Sequence, residues 1–290
     1  MKIVQITTDD RDFLRKYDRP VPSFGSAPEA LLTGLECFSE VEVHVVSTTR
    51  KRLKVPSQIG KNIFFHQVKI PKWGRAKSLY SPCVCRIRSV IAGIQPDIVH
   101  GQGTEGECAL AATYSGYPSV ITIHGNMKYL HSIGLAGPKA FGMIASTLES
   151  HALKRAVGVI CNSEHTRELV EKRAQKVWTV PNALRQEFFA NLSIDRDEIY
   201  QKNDKIQILT IGVVNQMKRQ VEILEMVTRL AEEGLQVEIV FVGRMNRESE
   251  YGKKFLGLIA KAEEKGFARY TGGLRITELI SLMDLSLIHI

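Results

Sequence analysis

The sequence predicts an α/β fold of two units, each built on a parallel sheet, with the second unit incomplete. Three observations carry this expectation. Short apolar runs rich in β-branched residues recur along the chain, as strands buried on both faces require. Segments with apolar residues at helical spacing separate them. A polar, charged, aperiodic stretch at 192–205 (LSIDRDEIYQKNDK) divides a long first set of such segments from a shorter second set. The expected units are 1–191 and 206–290, joined by a linker at 192–205.

The second unit opens with the clearest pattern. An apolar strand at 206–212 (IQILTIG) runs through a loop at 213–220 (VVNQMKRQ) into a helix in which Val221, Leu224, Val227 and Leu230 recur at helical spacing. Such a loop opens onto the helix N-terminus, where free amides and partial positive charge favour phosphate oxygens. Lys218 and Arg219 lie in it. Two readings fit them: cations on a pyrophosphate, because a lysine ammonium is a flexible point charge suited to phosphate, or a solvated pair on an ordinary turn. Further strands are expected at 236–243 and 268–271 and further helices at 250–266 and 274–283. The apolar run at 285–290 reads as a strand with no helix after it, which would leave one sheet face uncovered, so the second unit is expected to be truncated.

The first unit begins with a strand at 2–7 (KIVQIT), then a loop at 20–28 (PVPSFGSAP) before a helix at 29–38. Gly25 in that loop either lets backbone approach a phosphate or makes a turn between Pro22 and Pro28. Strands are expected at 41–47, 63–70, 97–100, 119–124, 156–160 and 177–180, and helices at 84–94, 107–114 and 138–156. Ser163 reads as the N-cap of one more helix. His124 ends its strand and is followed by Gly125 and Asn126. Ligands of open parallel sheets gather at strand C-termini, so His124 is a site candidate as well as a packing one, whereas His151 reads as packing.

Composition narrows the classes. With 290 residues, 44% hydrophobic and 24% charged, the chain can fill two cores. No apolar run approaches the ~20 residues of a membrane-spanning helix, and the N-terminal run is too short for a secretory signal. A cytoplasmic protein is expected. The five cysteines are scattered with no CxxC pair, which points to free thiols. The net charge of +8 is concentrated: between Glu42 and Asp97 there is no carboxylate, while Arg50, Lys51, Arg52, Lys54, Lys61, Lys69, Lys72, Arg75, Lys77, Arg86 and Arg88 fall inside, with Trp73 among them. That segment suits either a solvated face or an anionic membrane surface or acidic acceptor. It would place the protein peripherally at the inner face of the membrane. No zinc-finger, RNP-type or helix-turn-helix signal accompanies the charge, so no nucleic-acid partner is expected.

The order of signals resembles the retaining GT-B glycosyltransferases of family 4, the group 1 type. The carrying motifs are the PVPSFGSAP loop, QPDIVHGQG at 95–103, SVITIHGN at 119–126, GVICNSEHT at 158–166, VWTVPNAL at 177–184, ILTIGVVNQMKRQ at 208–220 and VEIVFVGR at 237–244. The resemblance implies two Rossmann-like domains facing a cleft, the donor nucleotide-sugar held by the C-terminal one and a glycan or lipid-linked acceptor by the N-terminal one. It implies that Lys218 contacts the donor pyrophosphate, that Gly25 lies in the loop closing over the phosphates, that His124 faces the donor sugar, and that Gly212 forms the tight exit beneath the diphosphate. Where the family has an arginine directly after that glycine this chain has Val213, leaving Arg219 or Arg244 to assist, and Gly25 stands alone where two adjacent glycines are common. The family's two glutamates seven residues apart would follow the last strand and are absent, so little turnover is expected of residues 1–290. No cofactor or metal is expected: no DxD pair ends a strand and no His/Cys cluster occurs. Two other classes compete. One is a non-catalytic GT-B-like module binding an anionic glycan or membrane surface. The other is a nicotinamide enzyme, which ranks last because neither strand-loop-helix that opens a unit contains GxGxxG.

Overall fold

A computed structural model describes residues 1–15, 17–71, 75–189, 205–285 and 288–289. The expected linker at 192–205 thus lies outside the described residues except for Lys205, as do Lys72 and Trp73 of the basic segment. The chain divides into two units, Met1–Arg185 and Gln186–Ile290, so the short 3₁₀ turn Gln186–Phe189 groups with the second unit and not with the first.

The first unit holds strands β1 (Lys2–Ile6), β2 (Glu42–Thr49), β3 (Ile63–Lys69), β4 (Ile98–Gln102), β5 (Ser119–Ile123), β6 (Gly158–Cys161) and β7 (Val177–Thr179) in one sheet of order β3-β2-β1-β4-β5-β6-β7. Every pairing is parallel. Its helices are α1 (Asp10–Phe13), α2 (Ser26–Leu35), α3 (Ser81–Ile94), α4 (Cys108–Thr113), α5 (Met127–Ser132), α6 (Lys139–Arg155) and α7 (Glu164–Val170). Successive strand residues point to opposite faces. Val46 therefore joins a core with Ile87 and Ile91 of α3 and Ala111 of α4, while Val45 joins one with Phe24 and Leu32 of the α2 region. The expected helix at 29–38 starts earlier, at Ser26, so Gly25 is its N-cap and not a mid-loop residue. Two short helices, α1 and α5, escaped the periodicity reading because four and six residues are too few to display a stripe.

The second unit repeats the pattern with β8 (Ile206–Ile211), α8 (Gln220–Glu232), β9 (Val237–Val242), α9 (Glu250–Glu264), β10 (Ala268–Gly272), α10 (Ile276–Leu285) and β11 (Ile288–His289). Its sheet runs β10-β9-β8-β11, again parallel. Val221, Leu224 and Val227 of α8 pack with Ile208, Ile239 and Phe241. Fully burying each such side chain contributes ~1.5–3 kcal/mol.

Glycines end three adjacent strands of this sheet. Gly212 follows β8 with φ +153°, Gly243 follows β9 with φ +150°, and Gly272 closes β10 with φ +71°. The chains approach so closely that a Cβ on Gly243 would lie 1.8 Å from the Gly212 carbonyl oxygen. Pairing then resumes beyond the glycines, where the Val214 N–H donates to the Arg244 carbonyl at 2.9 Å. Gly243→Ala is accordingly expected to destabilise the second unit by more than ~2 kcal/mol, measured by denaturant unfolding. Gly257→Ala, on open space inside α9, should instead be neutral or stabilising.

Candidate functional site

Parallel pairing gathers the C-terminal ends of all strands of a sheet on one edge, where open α/β sheets bind ligands. In the first unit the segment after β1 is fixed by buried charge. Arg11, 1% exposed, gives its Nε and Nη2 to the Asp9 carboxylate at 3.0 and 2.6 Å and its Nη1 to the Arg19 carbonyl at 3.0 Å. The Asp10 N–H reaches the Ser23 carbonyl at 2.8 Å. Together these hold the stretch that leads to Gly25. At that position φ is an ordinary −56°, and an added Cβ would meet only Pro28 Cδ at 3.7 Å, so the fold itself does not demand glycine there. Asp12, also buried, accepts from Arg75 Nη2 at 3.0 Å and from the Arg50 N–H at 3.0 Å, and Thr48 Oγ1 donates to Glu107. Arg75 of the basic segment is thus spent inside the unit. Arg86 donates to the Lys69 carbonyl, and Lys51 lies 4.5 Å from the centre of the Tyr17 ring. Arg50, Lys51 and Arg52 stay exposed directly after β2, on the edge that also carries His124.

His124 is half-buried just beyond β5. It belongs to a polar row on one face of β4 and β5. Its Nε2 lies 2.8 Å from Gln102 Oε1, and the Gln102 amide nitrogen is 3.4 Å from His100, whose Nε2 lies 2.7 Å from Thr122 Oγ1. A carbonyl-type oxygen only accepts, so His124 carries its proton on Nε2 and leaves Nδ1 as an acceptor. Burial lowers the His124 pKa, and burial with the neighbouring His124 charge lowers that of His100 to about 4. Both imidazoles are neutral at pH 7.

The loop between β4 and α4 holds a pattern that sequence reading passed over. Residues 101–106 (GQGTEG) read GxGxxG, beginning on the last two residues of β4 and ending before α4. Physical detail assigns these glycines to packing. A Cβ on Gly101 would sit 2.9 Å from the Cys108 carbonyl oxygen, so glycine lets α4 lie on the sheet, and Gly103 takes φ +87°. The Glu105 carboxylate then lies across the turn, within 2.5 and 2.6 Å of where Cβ atoms of Gly103 and Gly125 would be. Loss of water around that carboxyl raises its pKa. An acidic group seated on the turn disfavours a phosphate there.

In the second unit the loop after β8 is stiffened by Gln220, 1% exposed, which accepts from the Asn215 N–H at 3.2 Å and donates to the Val213 carbonyl at 3.1 Å. Asn215 Oδ1 accepts from the Lys218 N–H at 3.0 Å. The Lys218 stem lies over Gly212, whose added Cβ would be 3.8 Å from its Cγ, Cδ and Cε. Lys218 is exposed, and among the described residues its ammonium pairs with no carboxylate. Arg219 caps α8 with φ +56°, and Arg244 leans on Gly273 with its Cγ 3.5 Å from where a Cβ would be. Gly212, Lys218, Arg219 and Arg244 thus share one edge of the second unit's sheet. The helix end is less free than expected. The Val221 N–H donates to Tyr251 Oη at 2.9 Å, and the Tyr251 hydroxyl donates to Glu222 at 2.8 Å, which lowers the Glu222 pKa and keeps a carboxylate in the first turn. Lys218 therefore offers an anion more than the helix terminus does. No signal in the sequence announces Tyr251, which reaches α8 from the start of another helix.

Residues 39–188, just over half of the chain, match the model of Glycosyltransferase Family 4. The chain belongs to glycosyltransferase family 4. No curated protein matches it in sequence. Among solved structures, this family 4 member is similar to sucrose-phosphate synthase from Thermosynechococcus elongatus, with TM-score 0.63 and 14% identity over 100% of this chain and 74% of that one. It is also similar to HepE from Anabaena in complex with UDP and glucose, with TM-score 0.63 and 16% identity over 100% and 73%. UDP-GlcNAc 2-epimerase from Neisseria meningitidis bound to UDP-GlcNAc gives TM-score 0.58 and 14% identity over 100% and 77%. The shared feature is the GT-B fold class with its two Rossmann-like units, and because an epimerase shares it, the fold alone does not name the reaction. Among the described residues of this family 4 chain, no helix is long and apolar enough to cross a membrane, and no cluster of three His, Cys, Asp or Glu could hold a metal ion.

The lowered histidines set a pH dependence. His66, His100 and His124 each have a folded pKa below the ordinary 6.5, so the unfolded chain binds more protons and stability falls as pH drops below that value. His100 extends the loss down to about pH 4. Thermal unfolding scanned from pH 7 to 4.5 should show a falling midpoint, with a shallower slope in His100→Gln.

Proposed function

We propose that this family 4 glycosyltransferase moves a sugar from a UDP-sugar to an acceptor hydroxyl on a glycan or lipid-linked substrate. Anomeric configuration is retained, and no metal or other cofactor takes part. The observation that carries the reading is the Lys218 stem laid over Gly212 at the end of β8 with its ammonium free of any described carboxylate. As the glycosidic bond breaks, the departing diphosphate gathers negative charge, and a cation already in place stabilises it without reorganisation. Arg219 and Arg244 supply further positive charge at the same edge, where Val213 stands in place of the family's arginine.

His124 plays its part in the first unit. Neutral and held at Nε2 by Gln102, it keeps Nδ1 to accept from a hydroxyl of the donor sugar. Gly25, which the fold does not require, leaves backbone room for the phosphates. The UDP, UDP-glucose and UDP-GlcNAc held by proteins of similar fold support a uridine diphosphate donor. Retention rests on the family's motif order. Exposed Arg50, Lys51 and Arg52 beside the His124 edge suit an acceptor bearing negative charge, such as a lipid-linked phosphate at a membrane face.

Calorimetric titration tests the donor side. UDP should bind, and Lys218→Ala should weaken it by about 10- to 100-fold, equivalent to losing a charged hydrogen bond of ~1.5–3 kcal/mol, while uridine binding is unchanged. Absence of UDP binding, or equal affinity in the variant, overturns the assignment. In transfer assays His124→Ala should lower kcat by ~10-fold or more with UDP affinity intact, since it loses a hydrogen bond to sugar and none to phosphate.

A further inference from the structure

Glu149 lies in the middle of α6, on the inner side of the helix, with a fully buried side chain. A buried carboxylate costs several kcal/mol unless its oxygens are paired. Here Oε1 meets Arg173 Nη1 at 2.9 Å and accepts from the Lys128 N–H at 3.3 Å, while Oε2 accepts from the Met127 N–H at 2.7 Å and lies 2.8 Å from Thr104 Oγ1. The Thr104 hydroxyl is also 2.9 Å from the Gly125 carbonyl oxygen. Apart from Arg173, every partner follows one of two strand ends: Thr104 in the loop after β4, and Met127 and Lys128 in the first turn of α5, directly behind His124, Gly125 and Asn126. Replacing such a pair by apolar side chains is often neutral or stabilising, so stability alone does not account for a charge at this place.

We propose that Glu149, charge-balanced by Arg173 and relayed through Thr104, is a positioning residue that fixes the backbone behind His124 and so sets where the imidazole points. This rests on the role given to His124 above. Gln102 holds the ring from the strand side, and Glu149 holds the chain that follows it. Released from Glu149, the Met127 and Lys128 N–H groups lose the acceptor that holds them, while Gln102 on the His124 ring, Thr104 on the Gly125 carbonyl and the Asn126 cap on Tyr129 remain. A shift of ~1 Å in a positioning group costs up to ~100-fold in rate.

Two variants keep the test falsifiable. Glu149→Gln removes the charge, and Thr104→Val removes the hydroxyl relay at nearly constant shape. Both should lower kcat by ~10- to 100-fold with UDP affinity within about twofold of the parent chain. Both should speed amide hydrogen exchange at Met127 and Lys128 and move the His124 ring ¹⁵N resonances, while Thr104→Ser restores all three. Unchanged exchange and unchanged His124 resonances in both variants overturn the proposal, as does a kcat equal to that of the parent. Exchange and ring resonances need no turnover. A parent chain that neither binds UDP nor transfers sugar therefore removes the reading of His124, while these measurements still decide whether Glu149 positions it.

Discussion

Parallel pairing is the constraint on which the rest depends. When all strands of a sheet run one way, their C-terminal ends lie on one edge, and each chain must leave the ladder there with its backbone groups no longer paired by the sheet. Those exits are also where the loops from many strands converge. Each unit must therefore fix several loops at one edge without a ladder to hold them, and the two units do so by different physical means.

The first unit uses buried polar groups. Asp9 with Arg11 holds the segment leading to Gly25, Asp12 with Arg75 ties that segment to β2, and Glu149 with Arg173 holds the loops after β4 and β5. Each pair exposes little side-chain surface and makes at least one further hydrogen bond to backbone, which offsets part of the desolvation penalty of buried charge. The second unit uses close backbone approach. Glycines at 212 and 243 let β8 and β9 converge until side chains would collide, and Gln220 closes the loop with two hydrogen bonds. Charge is then left over in the second unit: Lys218 is not needed to hold the loop on which it sits.

That surplus separates chemistry from architecture. Similar folds serve a synthase and an epimerase, so the reaction must be read from edge residues and their commitments. Arg75 belongs to the basic segment that suits an anionic partner in the sequence and is consumed by structure, as is Arg173. Lys218 fits either a phosphate cation or a solvated turn residue in the sequence and is uncommitted among the described residues. The GQGTEG turn makes the same point in reverse, since its glycines serve helix packing and a left-handed turn while Glu105 occupies the place a phosphate would take.

The sequence by itself determined the two α/β units, nearly every strand, and, within each unit, the sheet edge that carries its candidate residues, His124 in the first and Gly212, Lys218, Arg219 and Arg244 in the second, because strands buried on both faces and helices with one apolar face are local patterns. It also held the family resemblance, which the match over residues 39–188 bears out. Strand ends shifted by a residue or two and α2 began three residues early, since element boundaries depend on caps more than on periodicity. What only the tertiary structure decided is which polar and charged groups pair. Glu149 with Arg173, Asp12 with Arg75 and Val221 with Tyr251 are separated by 24, 63 and 30 residues, and no local pattern encodes contacts made through a folded sheet. Pairing of that kind settles whether a charge holds the chain or stays available to a ligand.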